Sequence, residues 1–99
     1  MDERMKLTRM KTIDLSTLTI KWVDGTTRTV EFGRELAQVI FENTRDVGEH
    51  AFSIKLYENP VVEKTDENAR IIRDYTGRHF KAFVQVAVND LLDEGEAGR

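Results

Sequence analysis

Leu18-Thr19-Ile20-Lys21-Trp22-Val23-Asp24-Gly25-Thr26-Thr27-Arg28-Thr29-Val30-Glu31-Phe32 sets two runs of alternating apolar and polar residues on either side of an Asp-Gly pair. Alternation with period two marks a half-buried strand, and Asp-Gly is a turn dipeptide, so the stretch reads as a β-hairpin. Leu18, Ile20 and Trp22 share one face of the first strand, and Val30 and Phe32 are the apolar residues of the second. All five positions are even. A two-residue turn at Asp24-Gly25 would pair odd with even positions and set Leu18, Ile20 and Trp22 beside Thr27, Thr29 and Glu31. A loop of odd length keeps the five apolar side chains together. Because a one-residue slip turns a whole strand over, this parity predicts a three-residue loop, Val23-Asp24-Gly25. Gly25, lacking a Cβ, would hold the left-handed position of a bulged type I turn. The other face, with Thr19, Lys21, Thr27, Thr29 and Glu31, reads as solvated.

A lone two-stranded hairpin is marginal in water, so another layer must cover its apolar face. Beyond Phe32 the chain reads mainly as helix. Leu36, Ala37, Ile40 and Phe41, widened by Val39, form an apolar stripe on a helix of about 34–44. Residues 49–59 fit two patterns: Phe52, Ile54 and Leu56 alternate as in a strand, whereas Phe52/Leu56 and Ile54/Tyr57 sit at helical spacing. The helical reading is favoured because Asn59-Pro60 supplies a stop. Pro60–Lys64 reads as a connector or short strand. Thr65 is placed to cap a helix whose first turn holds Asp66 and Glu67, and Thr76-Gly77 reads as its end. The last helix, about 78–93, carries Phe80, Phe83, Val84, Ala87, Val88, Leu91 and Leu92 on one broad face, read as the central core element. The expected fold is therefore α+β, an N-terminal β-hairpin packed on a bundle of three to four helices. Residues 1–11 read as a flexible N-terminal arm, although Leu7, Arg9, Lys11 and Ile13 also fit an edge strand. Residues 12–93 form the single domain, and residues 94–99 a disordered tail.

Composition limits the function classes. A chain of 99 residues, 39% hydrophobic and 33% charged, is that of one soluble globular domain. With no cysteine there is no disulfide framework and no thiolate metal site, which fits a reducing cytoplasm. No apolar run approaches the roughly 20 residues of a membrane span, and the charged N-terminus lacks the apolar stretch of a secretion signal. The net charge of −3 divides into +2 over residues 1–34 and −5 beyond them, poor material for non-specific binding to phosphates.

No segment shows catalytic spacing. The only serines, Ser16 and Ser53, lie outside any glycine-flanked elbow. His50 and His79 read as polar residues at helix starts with no neighbouring metal ligand, so no cofactor or metal is expected. The glycines are isolated punctuation, not a phosphate-cradling loop. Asp90, Asp93 and Glu94 read as a solvated acidic helix end. One constellation stands out: Arg70, Arg73, Arg78, His79 and Lys81 straddle the joint between the last two helices. Helix, short glycine-containing turn and helix invite a helix-turn-helix reading with arginines on phosphate. The second helix argues against it, being more than half apolar, and the cluster also reads as a solvated edge ion-paired with Asp74 or Glu67. Trp22 and Arg28 lie on one strand face, where a guanidinium can sit over the indole, and Trp22 itself reads as core.

Ile13-Asp14-Leu15, the Asp24-Gly25 hairpin, Glu35-Leu36-Ala37 through Ile40 to Thr44, Tyr57-Glu58-Asn59, Thr65-Asp66-Glu67 and Phe80-Lys81-Ala82-Phe83-Val84 succeed one another in an order that resembles small uncharacterised proteins of phage and mobile-element gene clusters. The resemblance implies an accessory or interaction protein of a bacterial cytoplasm and carries no functional residues with it. The expected function is a non-enzymatic interaction or assembly protein, acting on an unknown protein partner or as a homo-oligomer, away from membranes. The alternative is a nucleic-acid-binding accessory factor that uses Arg70, Arg73, Arg78 and Lys81.

Overall fold

The hairpin has the register that parity demands. In the computed structural model, which describes residues 11–97, strand β2 (Thr17–Lys21) runs antiparallel to β3 (Thr27–Glu31), with Leu18 opposite Val30 and Ile20 opposite Arg28. The loop is Val23-Asp24-Gly25. The Trp22 N–H donates to the Thr26 carbonyl at 2.8 Å, and the Gly25 N–H to the Trp22 carbonyl at 2.9 Å. Gly25 has φ +90°, the left-handed backbone that glycine adopts without strain. The Asp24 carboxylate fastens the turn, accepting from the Thr26 N–H at 3.0 Å and its hydroxyl at 2.7 Å. Leu18 and Ile20 are buried on the inner face, with Trp22 and Val30 half-buried beside them.

Four helices follow the ribbon among the described residues: α1 (Gly33–Asn43), α2 (Val47–Glu58), α3 (Asp66–His79) and α4 (Ala82–Ala97). A second small sheet is added by β1 (Thr12–Asp14) and β4 (Val61–Glu63), antiparallel with Ile13 opposite Val62. Both readings of Pro60–Lys64 and of the residues before Ile13 left room for this pairing. The rest of the N-terminal arm and the last two residues lie outside the described residues. Helix α4 packs on β2, α3 packs on α4 and α1, and α1 lies along α2. The core between them holds Ile13, Leu15, Leu36, Ile40, Leu56, Ile72, Tyr75, Val88 and Leu92.

Local chemistry explains most boundaries. Asp46 caps α2 by accepting from the Glu49 N–H at 2.9 Å, and Thr65 caps α3 by accepting from the Asn68 N–H at 3.0 Å. Asn59 is extended before Pro60, as the proline ring requires, and ends α2. Residues 49–59 are thus helical apart from the capping Asn59. Gly33, the first residue of α1, is set by close approach: a Cβ there would lie 2.7 Å from the Pro60 Cβ and 3.1 Å from the Leu15 carbonyl oxygen.

Three expectations are corrected. Helix α3 does not stop at Thr76-Gly77 but continues to His79, so His79 ends a helix instead of starting one. Its last turn is held by Arg78, which pairs with Asp74 at 2.7 Å and lies 4.7 Å from the Tyr75 ring centre. These contacts offset the roughly 1 kcal/mol that glycine costs inside a helix. Helix α4 accordingly begins at Ala82, not Arg78, and runs to Ala97, through residues 94–97 of the expected disordered tail. Its covered face is also narrower than expected. Ala87, Val88 and Leu92 are buried, Phe80 lies before the helix with its ring edge-on to Phe32 at 5.3 Å, and Phe83 is 40% exposed.

Candidate functional site: an apolar stripe on the first helix pair

The basic cluster at the α3–α4 joint is internally neutralised. Arg70 donates to the Glu67 carboxylate at 2.7 Å and reaches Glu49 at 3.5 Å. The bonded Glu67 carboxylate holds the Arg70 guanidinium protonated more firmly than usual, and is itself held below the ordinary glutamate range. Arg73 donates to Asp93 at 2.6 Å and to the Asn89 side chain at 3.3 Å, while Arg78 is held by Asp74 and Tyr75. The expected pairs with Asp74 and Glu67 are present. Lys81 is exposed in the two-residue turn and makes no ion pair among the described residues. Helix α4, which would have to read a groove, has no lysine or arginine from Ala82 to Ala97. The structure therefore brings Arg70, Arg73 and Arg78 to one helix, but turns each toward an acidic partner.

The serines and histidines are similarly engaged. Ser53 is buried and donates to the His50 carbonyl at 2.6 Å, and Ser16 donates to the Asp14 carboxylate at 2.5 Å. Those bonds from Ser16 keep Asp14 below the usual aspartate range. The His50 ring lies 5.0 Å from that of Phe41, and His79 stacks on Tyr75 at 5.9 Å. Among the described residues, no group of three or more histidine and acidic side chains is placed to hold a metal ion, and no helix is long and apolar enough to cross a membrane.

Glu49 is a polar junction that the sequence reading missed. Its carboxylate is 13% exposed and accepts from the Tyr75 hydroxyl at 2.7 Å and the Thr44 hydroxyl at 2.7 Å. The Tyr75 bond, then that of Thr44, then Arg70, holds the carboxyl below its ordinary value. Burial pushes the Tyr75 phenol up, and the Glu49 charge adds to that. This junction ties the α1–α2 loop and the first turn of α2 to α3.

Of the eight exposed large hydrophobic residues among the described residues, four (Phe41, Val47, Ile54 and Tyr57) lie on the α1–α2 helix pair. Arg34 lies 5.1 Å from the Tyr57 ring centre at one end, and Phe41 faces His50 at the other, so the two helices pair antiparallel in a regular register. Helix α2 is apolar on two sides. Phe52 and Leu56 face inward and Val47, Ile54 and Tyr57 face outward on a different side of the helix, with the buried Ser53 between the two groups. Phe41, expected in the core stripe, is 51% exposed, with Tyr57 46% and Ile54 41% exposed. A cavity of about 200 Å³ opens between the helices, lined by Ala37, Gln38, Phe41, Ser53, Ile54 and Tyr57. The spacing Ile54/Tyr57 was visible in the sequence; that nothing in the fold covers it was not.

A second aromatic pair, the half-buried Trp22 and the exposed Phe83, is partly spent on itself. Trp22 packs on Phe83 at 5.1 Å between ring centres, with Arg28 at 5.2 Å from the indole, as its place on the strand face anticipated. Trp22 is half-buried and packs against the edge of the core, with its indole N–H buried without a hydrogen-bond partner. A base stacking on this indole would have to displace Arg28 or Phe83. No protein-family model, curated protein or solved structure matches the chain.

Proposed function

We propose that this chain is a non-enzymatic interaction module that docks another protein surface on the α1–α2 stripe. The observation that carries the reading is the exposure, side by side, of Phe41, Ile54 and Tyr57 around a cavity on a pair of helices tied to α3 by Glu49. Contiguous apolar surface of this kind is costly to leave in water and marks places where another surface sits. Rigid aromatic anchors at the centre of such a patch supply most of the binding energy in known interfaces. An accessory role in a reducing cytoplasm accords with the absence of cysteine. The nucleic-acid reading keeps only Lys81 as an unpaired cation of its four residues.

The test is site-specific photo-crosslinking in the producing cell, with the crosslinker at Tyr57, at Phe41 or, as a control, at Arg73. The reading expects protein adducts from the first two positions and not from the third. Equal yields at all three, or none at the stripe, would reject it.

A further inference from the structure

We infer that the partner on the α1–α2 stripe is a second copy of this chain, seated face to face about a two-fold axis. The inference rests on the docking reading above and names its occupant. Three features of the stripe favour a copy of itself.

The first is charge. Arg34 and Glu58 stand at one end of the helix pair, and Glu42 and Arg45 at the other; all four are exposed. Among the described residues, none of the four forms a salt bridge, Arg34 being engaged only with the Tyr57 ring. The stripe therefore carries two free cations and two free anions, one of each sign at either end. A two-fold contact brings an arginine of one copy to a glutamate of the other at both ends, whichever way the stripes run. A strongly basic or acidic partner would leave half of these charges opposed by their own sign, which is unfavourable at a desolvated rim.

The second is area. Half of an aromatic side chain presents roughly 100 Å², so Phe41 and Tyr57 together offer about 200 Å². Ile54, 41% exposed, and Val47, 83% exposed, raise the apolar total to about 350–400 Å² per copy. Two copies, with the polar rim that accompanies roughly 60% apolar area, bury about 1,200 Å². That is the lower bound of specific interfaces, the size class in which weak and transient contacts fall.

The third is shape. The cavity of about 200 Å³ lies between α1 and the C-terminal half of α2, with Glu58 in its lining, where the side chain of a facing Ile54 or Tyr57 would enter. An isologous contact fills both cavities at once.

The experiment is sedimentation equilibrium from about 5 to 500 μM, a range suited to a weak interface of the lower size class. The full chain should pass from monomer to dimer mass over this range. Glu42→Arg with Glu58→Arg makes the stripe wholly basic, and should weaken self-association at least about tenfold. Arg34→Glu with Arg45→Glu makes it wholly acidic, with the same effect. Mixing the two variants should restore the dimer as a heterodimer. All four positions are exposed, so both variants keep the fold, verified by unchanged circular dichroism. Monomer throughout the range would overturn the second copy, as would variants that dimerise as well as the parent or fail to pair when mixed. Crosslinks from Tyr57 to a different protein, with the chain itself monomeric, would leave the docking reading standing and reject the second copy alone.

Discussion

Replacing Glu49 by alanine tests whether the first helix pair is held as described. The carboxylate accepts from the Tyr75 and Thr44 hydroxyls, both at 2.7 Å, and Tyr75 is only 2% exposed. Removing it leaves a buried phenol hydroxyl without its acceptor. Hydrogen bonds to a charged group contribute about 1.5–3 kcal/mol, and stranding a buried donor costs a similar amount. The expected loss is about 3 kcal/mol, of the order of 12–24 °C in Tm for a domain this size. Urea melts of wild type, Glu49→Gln, Tyr75→Phe and the double variant should give a coupling of about 1–2 kcal/mol. The pH dependence has a definite sign. A carboxyl held below its ordinary value of 4.5 contributes stability that is present above that value and fades as pH falls through its folded value. The gap between wild type and Glu49→Gln should therefore be full at pH 7 and shrink below about pH 4.5. A cost under about 0.5 kcal/mol for Glu49→Ala, or a gap unchanged from pH 7 to pH 3, would refute this reasoning.

Other substitutions probe the core and the turns. Leu92→Ala should cost about 2–5 kcal/mol in a chemical melt, and Phe83→Ala less than half as much, because Leu92 is 1% exposed and Phe83 40%. Equal costs would show that Phe83 is core after all. Gly33→Ala should destabilise by about 1–3 kcal/mol, since its Cβ meets Pro60 at 2.7 Å, and a neutral melt would contradict that approach. Gly25→Ala places a Cβ at φ +90°, in open space; it should cost about 1–2 kcal/mol through backbone strain alone, read in the same assay.

Local pattern was enough for the elements whose causes are local. The even positions of Leu18, Ile20, Trp22, Val30 and Phe32 implied the three-residue loop, and Thr65 announced the start of α3. Pro60 decided the ambiguous residues 49–59 in favour of a helix. Periodicity, however, says which residues share a side and not how much of that side another element covers. Phe41 and Phe83 belong to apolar stripes by spacing, yet lie at their uncovered margins. Gly77 read as a stop because the Arg78–Tyr75 and Arg78–Asp74 contacts that keep it helical depend on the rest of the turn.

The candidate surface was hidden for a related reason. Glu49 and Tyr75 stand 26 residues apart, and no short-range pattern links them. Arg73 finds Asp93 across 20 residues, so the cluster that looked most functional in sequence closes on itself. The stripe, by contrast, was written as two helical spacings in one segment, Phe52/Leu56 and Ile54/Tyr57. Only the folded packing, which buries Leu56 and half-buries Phe52, leaves the second pair outward.

Those two spacings also supply the most direct measurement, the paired variants Ile54→Asp and Leu56→Asp, melted at about 1 μM, below the range suited to a weak interface of this size, and then crosslinked through Tyr57. Leu56 is fully buried, so Leu56→Asp should unfold the domain, whereas Ile54→Asp, at a side chain 41% exposed, should stay folded with only a modest loss of stability and yet abolish the Tyr57 adducts. An Ile54→Asp chain that unfolds like its neighbour, or that folds and still crosslinks undiminished, would contradict an outward stripe made for docking.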